Sequence, residues 1–177
     1  VPQIPPTSGN AQKPKKPLHV LCGGVLDKRK NIGLLIEACV ALSRPDGEDV
    51  ILSVAGDGPL LTTYKQFVEQ KRAHNVRFLG WRRSLEPELA SAHLLVHPAA
   101  HEGMSNVVLE ALAADLPVLL GRTKESEEFA NDARLLFDLG SASALSAQLL
   151  KLSRDGLDDL KLASQLLKAR HSFDWDS

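Results

Sequence analysis

Aromatic side chains are scarce in this 177-residue chain, at 5% of the total, and it carries only two cysteines. Two are too few for a disulfide scaffold. Cys22 lies in an apolar run of strand length and Cys39 on an apolar helical face, so both read as buried thiols of a reducing compartment. Neither sign of charge is in excess: 21 basic against 22 acidic residues leave a formal charge of -1, which is no electrostatic footprint for nucleic acid or an anionic membrane. Any anion must be held by local groups. No apolar run reaches the roughly 18 residues of a membrane span, because Glu110 and Asp115 interrupt the longest one. No secretory signal pattern is present, and no G-x-x-x-x-G-K-[ST] loop, which argues against a P-loop nucleotidase.

What is present is an ordinary globular composition, 44% hydrophobic and 24% charged, of a length that suits one domain. Residues 1–17 differ from the rest. Five prolines and the Lys-Pro-Lys-Lys run at 13–16 sit where almost nothing apolar can be buried, so this stretch is expected to be a disordered linker of a longer protein. From residue 18 to 177 one domain is expected.

In that domain, strand-length apolar runs alternate with stretches of helical periodicity. Strands are predicted at Leu18–Gly23, Asp49–Ala55, Val76–Leu79, Leu94–His97, Leu116–Leu120 and Arg134–Phe137. Helices are predicted after Asn31 as N-cap, after Gly56-Asp57-Gly58-Pro59 to about Arg72, over Ser84–Ala92 with Ser84 as cap, over Asn106–Ala114 capped by Ser105, over Ser126–Ala130, and as a pair from Ala142 to Arg170 broken at Asp155-Gly156. Such alternation predicts an α/β, Rossmann-like, doubly wound parallel sheet of about six strands with helices on both faces. Ligands of such sheets sit beyond the carboxyl ends of the strands, which marks the loops at 23–31, 56–59, 80–83, 98–105 and 121–125 as one rim.

Several groups on that rim carry chemistry. Glu110 stands on an almost wholly apolar helix, where a buried carboxylate would need a partner, and none is near in sequence. Gly23-Gly24 ends the first strand and Lys30 arrives as the first helix begins, so its ammonium would meet phosphate oxygens; Lys28 and Arg29 are alternatives. Gly56-x-Gly58 occupies the place of a phosphate-cradling turn but lacks the third glycine of a dinucleotide fingerprint, where Leu61 stands. It serves equally as a tight turn that needs glycine. His97 and His101 have the spacing of metal ligands only on a helix, and Pro98 after a strand argues against one; no metal is expected. Glu102 and Glu110 would lie roughly 12 Å apart at about 1.5 Å per residue, too far for a glycosidase pair and suited to a long ligand gripped at both ends.

The stretch E-G-M-S-N-V-V-L-E-A-L-A-A-D-L-P-V, with G-G-V-L-D-K-R-K-N-I-G-L-L-I-E-A, A-G-D-G-P-L, V-R-F-L-G-W and L-V-H-P-A in order, resembles the C-terminal, donor-binding domain of family 4 retaining glycosyltransferases of GT-B fold, the glycosyl transferases group 1. The resemblance runs from about Leu18 to Leu152. It implies a nucleotide-diphosphate sugar as ligand, with a lean to UDP and GDP as the other option, and transfer of a hexosyl group without metal. Glu110 would accept the ribose hydroxyls, Glu102 would contact the transferred sugar, and Gly103, Met104, Ser105 and Asn106 would present amides to the diphosphate. Lys30 would neutralise the leaving diphosphate beside Gly24 and Gly56. The base would lie near Phe78, Leu79 and Gly80, mostly on backbone groups. The resemblance further implies that acceptor recognition belongs to an N-terminal domain outside this chain, that this domain alone transfers little, and that the full protein is cytoplasmic, at or near a membrane face. The sequence departs from the family pattern at Val25, where an arginine is usual, at Asp115 in place of a glycine, and after Arg122, where only Glu127 or Glu128 matches the next acidic position.

Overall fold

The structure, a computed structural model, describes residues 16–100 and 105–171. Most of the expected linker, through residue 15, lies outside the described residues, as do His101, Glu102, Gly103 and Met104. Six strands form one parallel sheet: β1 (Leu18–Gly23), β2 (Val50–Ala55), β3 (Val76–Gly80), β4 (Leu94–His97), β5 (Val118–Gly121) and β6 (Leu136–Phe137). Their order is β3-β2-β1-β4-β5-β6, the doubly wound arrangement expected from the alternation. The helices are α1 (Ile32–Val40), α2 (Leu61–Gln70), α3 (Glu86–Ser91), α4 (Asn106–Ala113), α5 (Lys124–Ala130), α6 (Ala142–Asp155) and α7 (Asp158–Arg170). On one side α1 packs against α2 and α6; α4 packs against α7 near β5. None of the described helices is long and apolar enough to cross a membrane.

Strands β1, β2, β4 and β5 are apolar and largely buried because helices cover both faces of the sheet centre. Among their buried side chains is the Cys22 thiol, whose pKa burial pushes up to about 12; burial raises Cys39 further. At neutral pH both therefore stay protonated and poorly nucleophilic. The native chain is expected to resist iodoacetamide at neutral pH, whereas both cysteines should be labelled in denaturant, as counted by intact mass.

Local chemistry moves several element boundaries from their expected places. Asn31 does precede α1, but with φ 50 it is left-handed and its side chain makes no cap; Asp27 instead accepts from the backbone N–H groups of Arg29 and Lys30. The third helix begins at Glu86, not at Ser84, whose hydroxyl accepts from the Glu86 N–H in a preceding turn. Ser105 occupies the N-cap of α4 without a side-chain bond. α5 starts two residues earlier than expected because Thr123 and Ser126 form a reciprocal capping box. β5 starts at Val118: the Leu116 N–H is engaged by the Ala111 carbonyl in closing α4, and Pro117 has none to give. The last strand shrinks to two residues, since Asp132 accepts from the Arg134 N–H and turns 133–135 into a 3-10 turn. Asp115 is left-handed with φ 56, as a residue replacing glycine there must be.

Candidate functional site

The strand order reverses between β1 and β4, and a crevice forms beyond their carboxyl ends. It is a cleft of about 410 Å³ lined by the ends of three strands and the face of α4. After β1 come Gly24, Val25 and Lys30; after β2, Gly56 and Asp57; after β3, Trp81, Arg82 and Leu85; from α4, Ser105, Asn106, Val107 and Glu110.

Its floor is tied by backbone hydrogen bonds between loops. The Gly24 N–H donates to the Ala55 carbonyl at 3.0 Å, Leu26 to Asp57 at 2.9 Å, Leu60 back to Leu26 at 3.0 Å, and Gly56 to Gly80 at 2.8 Å. Three loops are thus locked in one arrangement before any ligand arrives. Gly56 is indispensable to it. Its φ is +144, and a Cβ there would run into the Gly24 carbonyl oxygen, while one at Gly58 would sit 2.6 Å from the Leu26 nitrogen. Both glycines are therefore used for close backbone approach. Gly56→Ala is expected to cost on the order of 2 kcal/mol or more and to lower the melting temperature by roughly 5 °C, read by thermal unfolding.

The Lys30 side chain reaches back along the Gly24 backbone, its Cε 3.5 Å from where a Gly24 Cβ would stand. The sequence left Lys28 and Arg29 as alternatives. Arg29 is bound through its guanidinium to Asp27 at 2.7 Å, holding that carboxyl below the ordinary aspartate range, and neither Arg29 nor Lys28 lines the cleft. Asp27 therefore organises the turn that delivers Lys30 alone.

Glu110 corrects an expectation. α4 buries Val107, Val108, Ala111 and Leu112, and Glu110 lies with Asn106 and Ala113 on its exposed face. The carboxylate is not desolvated. It has no hydrogen-bond or ion-pair partner among the described residues, and it borders both this cleft and a neighbouring groove that also includes Arg82 and Leu85. Behind it, Lys168 of α7 binds Asp115 at 2.7 Å and the Ala113 carbonyl at 3.1 Å, fixing the far end of α4.

Of the expected site residues, Gly24, Lys30, Gly56, Ser105, Asn106 and Glu110 come together here. Phe78 and Leu79 do not. The β2–β3 register slips between Val54 and Ala55, so that Phe78 faces Val54 and Gly80 faces Ala55, and Leu79 is the extra residue of a bulge. Phe78 packs on the core, and Leu79 lines a separate cavity of about 250 Å³ with His19, Ser53 and Glu88. Glu102, Gly103 and Met104 lie outside the described residues. Trp81 and Arg82 fall in the 80–83 loop marked as rim but were given no role there, and Leu85 went unnoticed; a tryptophan directly after a strand-ending glycine was the available signal. Glu127 pairs with Arg122 at 2.8 Å, and neither it nor Glu128 lines the cleft. No group of three or more His, Cys, Asp or Glu residues suited to a metal ion occurs among the described residues.

Comparison with known proteins bears on the family and the fold. The family profile described as "Glycosyl transferases group 1" matches residues 17–155. The lipopolysaccharide core biosynthesis glycosyltransferase LpsE of Rhizobium meliloti (strain 1021) is 29% identical over 149 residues, 82% of this chain and 42% of that protein. O-antigen chain mannosyltransferase B of Escherichia coli is 29% identical over 164 residues, 90% of this chain and 43% of that protein. The chain thus spans less than half the length of these relatives. Among solved structures, Anabaena Alr3699/HepE in complex with UDP and glucose superposes with a TM-score of 0.72 at 21% identity, over 88% of this chain and 44% of that one.

Proposed function

Because the chain belongs to the glycosyl transferases group 1 family, we propose that it is the donor-binding domain of a retaining hexosyltransferase of GT-B type that works without a metal ion. The observation that carries this reading is the cleft itself, which gathers Lys30, Gly24, Glu110 and the locked backbone of Gly56 around one space. The ligand that fits has an anionic middle for Lys30 and hydroxyls for Glu110, as a nucleotide-diphosphate sugar does. UDP is the favoured nucleotide, with support from the Anabaena protein solved with UDP and glucose; GDP is the other candidate.

In this reading the Glu110 carboxylate accepts the ribose hydroxyls. Ser105 and Asn106, at the start of α4, meet the diphosphate together with Gly103 and Met104, where amides favour an anion. Glu102 orients the sugar. The bond from the anomeric carbon to the diphosphate breaks as the acceptor oxygen bonds to the same carbon from the same face, and the acceptor proton passes to the departing diphosphate. Lys30 stabilises the charge that develops there. The acceptor is held by another domain of the full protein, which acts in the cytoplasm at a membrane face, and this chain alone transfers little.

Calorimetric titration of the chain with UDP, GDP, ADP, their sugars and NAD tests the reading. A nucleoside diphosphate should bind and NAD should not; absence of binding by every nucleoside diphosphate would overturn it. Oxidoreductase chemistry draws no support from Gly56 and Gly58, whose shape is used against the Gly24–Leu26 backbone. A second reading, a binding module that no longer catalyses, is favoured by Val25: it is 50% exposed on the cleft wall where a second cation would be placed. Activity of the full-length protein with a nucleotide sugar separates catalyst from module.

A further inference from the structure

We infer that Tyr64 is a positioning residue for Lys30: its hydroxyl caps the start of α1 from the neighbouring helix α2 and so fixes the turn that presents the Lys30 ammonium to the cleft. The inference rests on the donor reading above. The first amides of a helix have no partner within it, and α1 lacks the usual remedy of a capping side chain. Asn31 precedes the helix in a left-handed conformation and its side chain makes no cap. The amides around the helix start are therefore met one by one by other groups. Those of Arg29 and Lys30 donate to Asp27, and that of Leu34 donates to the Asn31 carbonyl at 3.1 Å. The Gly33 amide donates to the Tyr64 hydroxyl.

Tyr64, the one tyrosine of the chain, is half-buried in the first turn of α2. The start of α2 is tied to the same turn by the Leu60 N–H, which donates to the Leu26 carbonyl at 3.0 Å. Gly33 lets the ring approach: a Cβ there would lie 3.1 Å from the ring Cε1 and 3.4 Å from the hydroxyl oxygen of Tyr64. Burial, opposed by the Gly33 N–H and aided by the Asp27 carboxylate, raises the phenol pKa, so the oxygen accepts as a neutral hydroxyl at neutral pH. A phenylalanine would fill the same space, so the hydroxyl is there for the bond to Gly33. Lys30 lies just before this turn of α1, and its side chain runs along the Gly24 backbone into the cleft. A shift at Gly33 is thus passed to the ammonium, and displacing a reacting group by about 1 Å costs on the order of 100-fold in rate.

The test compares Tyr64→Phe, Lys30→Ala and the double variant in the full-length protein with nucleotide sugar. Tyr64→Phe is expected to lower kcat roughly tenfold and to leave the KM for the donor within about twofold of the parent. Its melting temperature should fall by no more than about 5 °C. In the Lys30→Ala background the same substitution should change kcat by less than about twofold, because the group it positions is gone. Amide hydrogen exchange at Gly33, followed by NMR in the 177-residue chain, should be faster by about tenfold in Tyr64→Phe. If Lys30→Ala loses activity while Tyr64→Phe keeps the parent kcat, or if Tyr64→Phe costs the same with and without Lys30, the positioning role is refuted and the donor reading stands. Unchanged exchange at Gly33 would refute the cap in the same way. If Lys30→Ala leaves kcat unaltered, or the full-length protein transfers no sugar, the reading and the inference fall together.

Discussion

Lys30→Ala in the full-length protein is expected to lower kcat with nucleotide sugar by roughly 10²–10³-fold, the usual effect of removing one group that stabilises charge developing in a transition state. The KM for the donor should change less, because the added charge that Lys30 is proposed to offset develops on the diphosphate only as its bond to the sugar breaks. The side chain is brought along the Gly24 backbone by a turn whose geometry depends on Asp27 and on the left-handed Asn31. Lys28 is exposed and the Arg29 guanidinium binds Asp27, so neither is placed to substitute. An unchanged kcat would show that this cation does not serve the leaving group and would favour the non-catalytic module.

Glu110→Ala is expected to weaken nucleoside diphosphate binding by roughly 10- to 100-fold, since hydrogen bonds to a charged acceptor contribute about 1.5–3 kcal/mol and 1.4 kcal/mol is a factor of ten. Stability should change by no more than about 0.5 kcal/mol, because Glu110 lies on the exposed face of α4 while Val107, Val108, Ala111 and Leu112 hold the helix to the core. That separation makes the experiment decisive. Calorimetry on a variant with an unaltered melting temperature reads ligand contact alone, and unaltered affinity would remove the main support for a ribose at this position.

The exposure of Glu110 also marks a limit of linear reading. A run such as V-V-L-E-A-L-A-A looks buried all round when apolar residues are counted, and the carboxylate in it looks stranded. The helical period sorts it otherwise: with four side chains facing the sheet, Asn106, Glu110, Ala113 and Ala114 fall on the opposite face. Small alanines there leave open space beside the carboxylate. Phe78 and Leu79 do not line the cleft, and between them and Gly80 lies a bulge, which one extra residue creates and which no alternation pattern in β3 announces. Asn75 is a similar case: its buried side-chain amide donates to the carbonyls of Cys39 and Val50, joining segments far apart in the sequence.

By itself the sequence determined a parallel sheet of six strands and the helices between them. Those features follow from periodicity and from glycine and proline, which act over a few residues at a time. Only the tertiary structure decided which rim residues share a cleft. It chose Lys30 over its two neighbours, turned Glu110 toward solvent, moved Phe78 and Leu79 away and brought Trp81 in. The physical reason is that these outcomes depend on register, on a left-handed residue and on backbone contacts between loops far apart in the chain, such as Leu26 with Asp57.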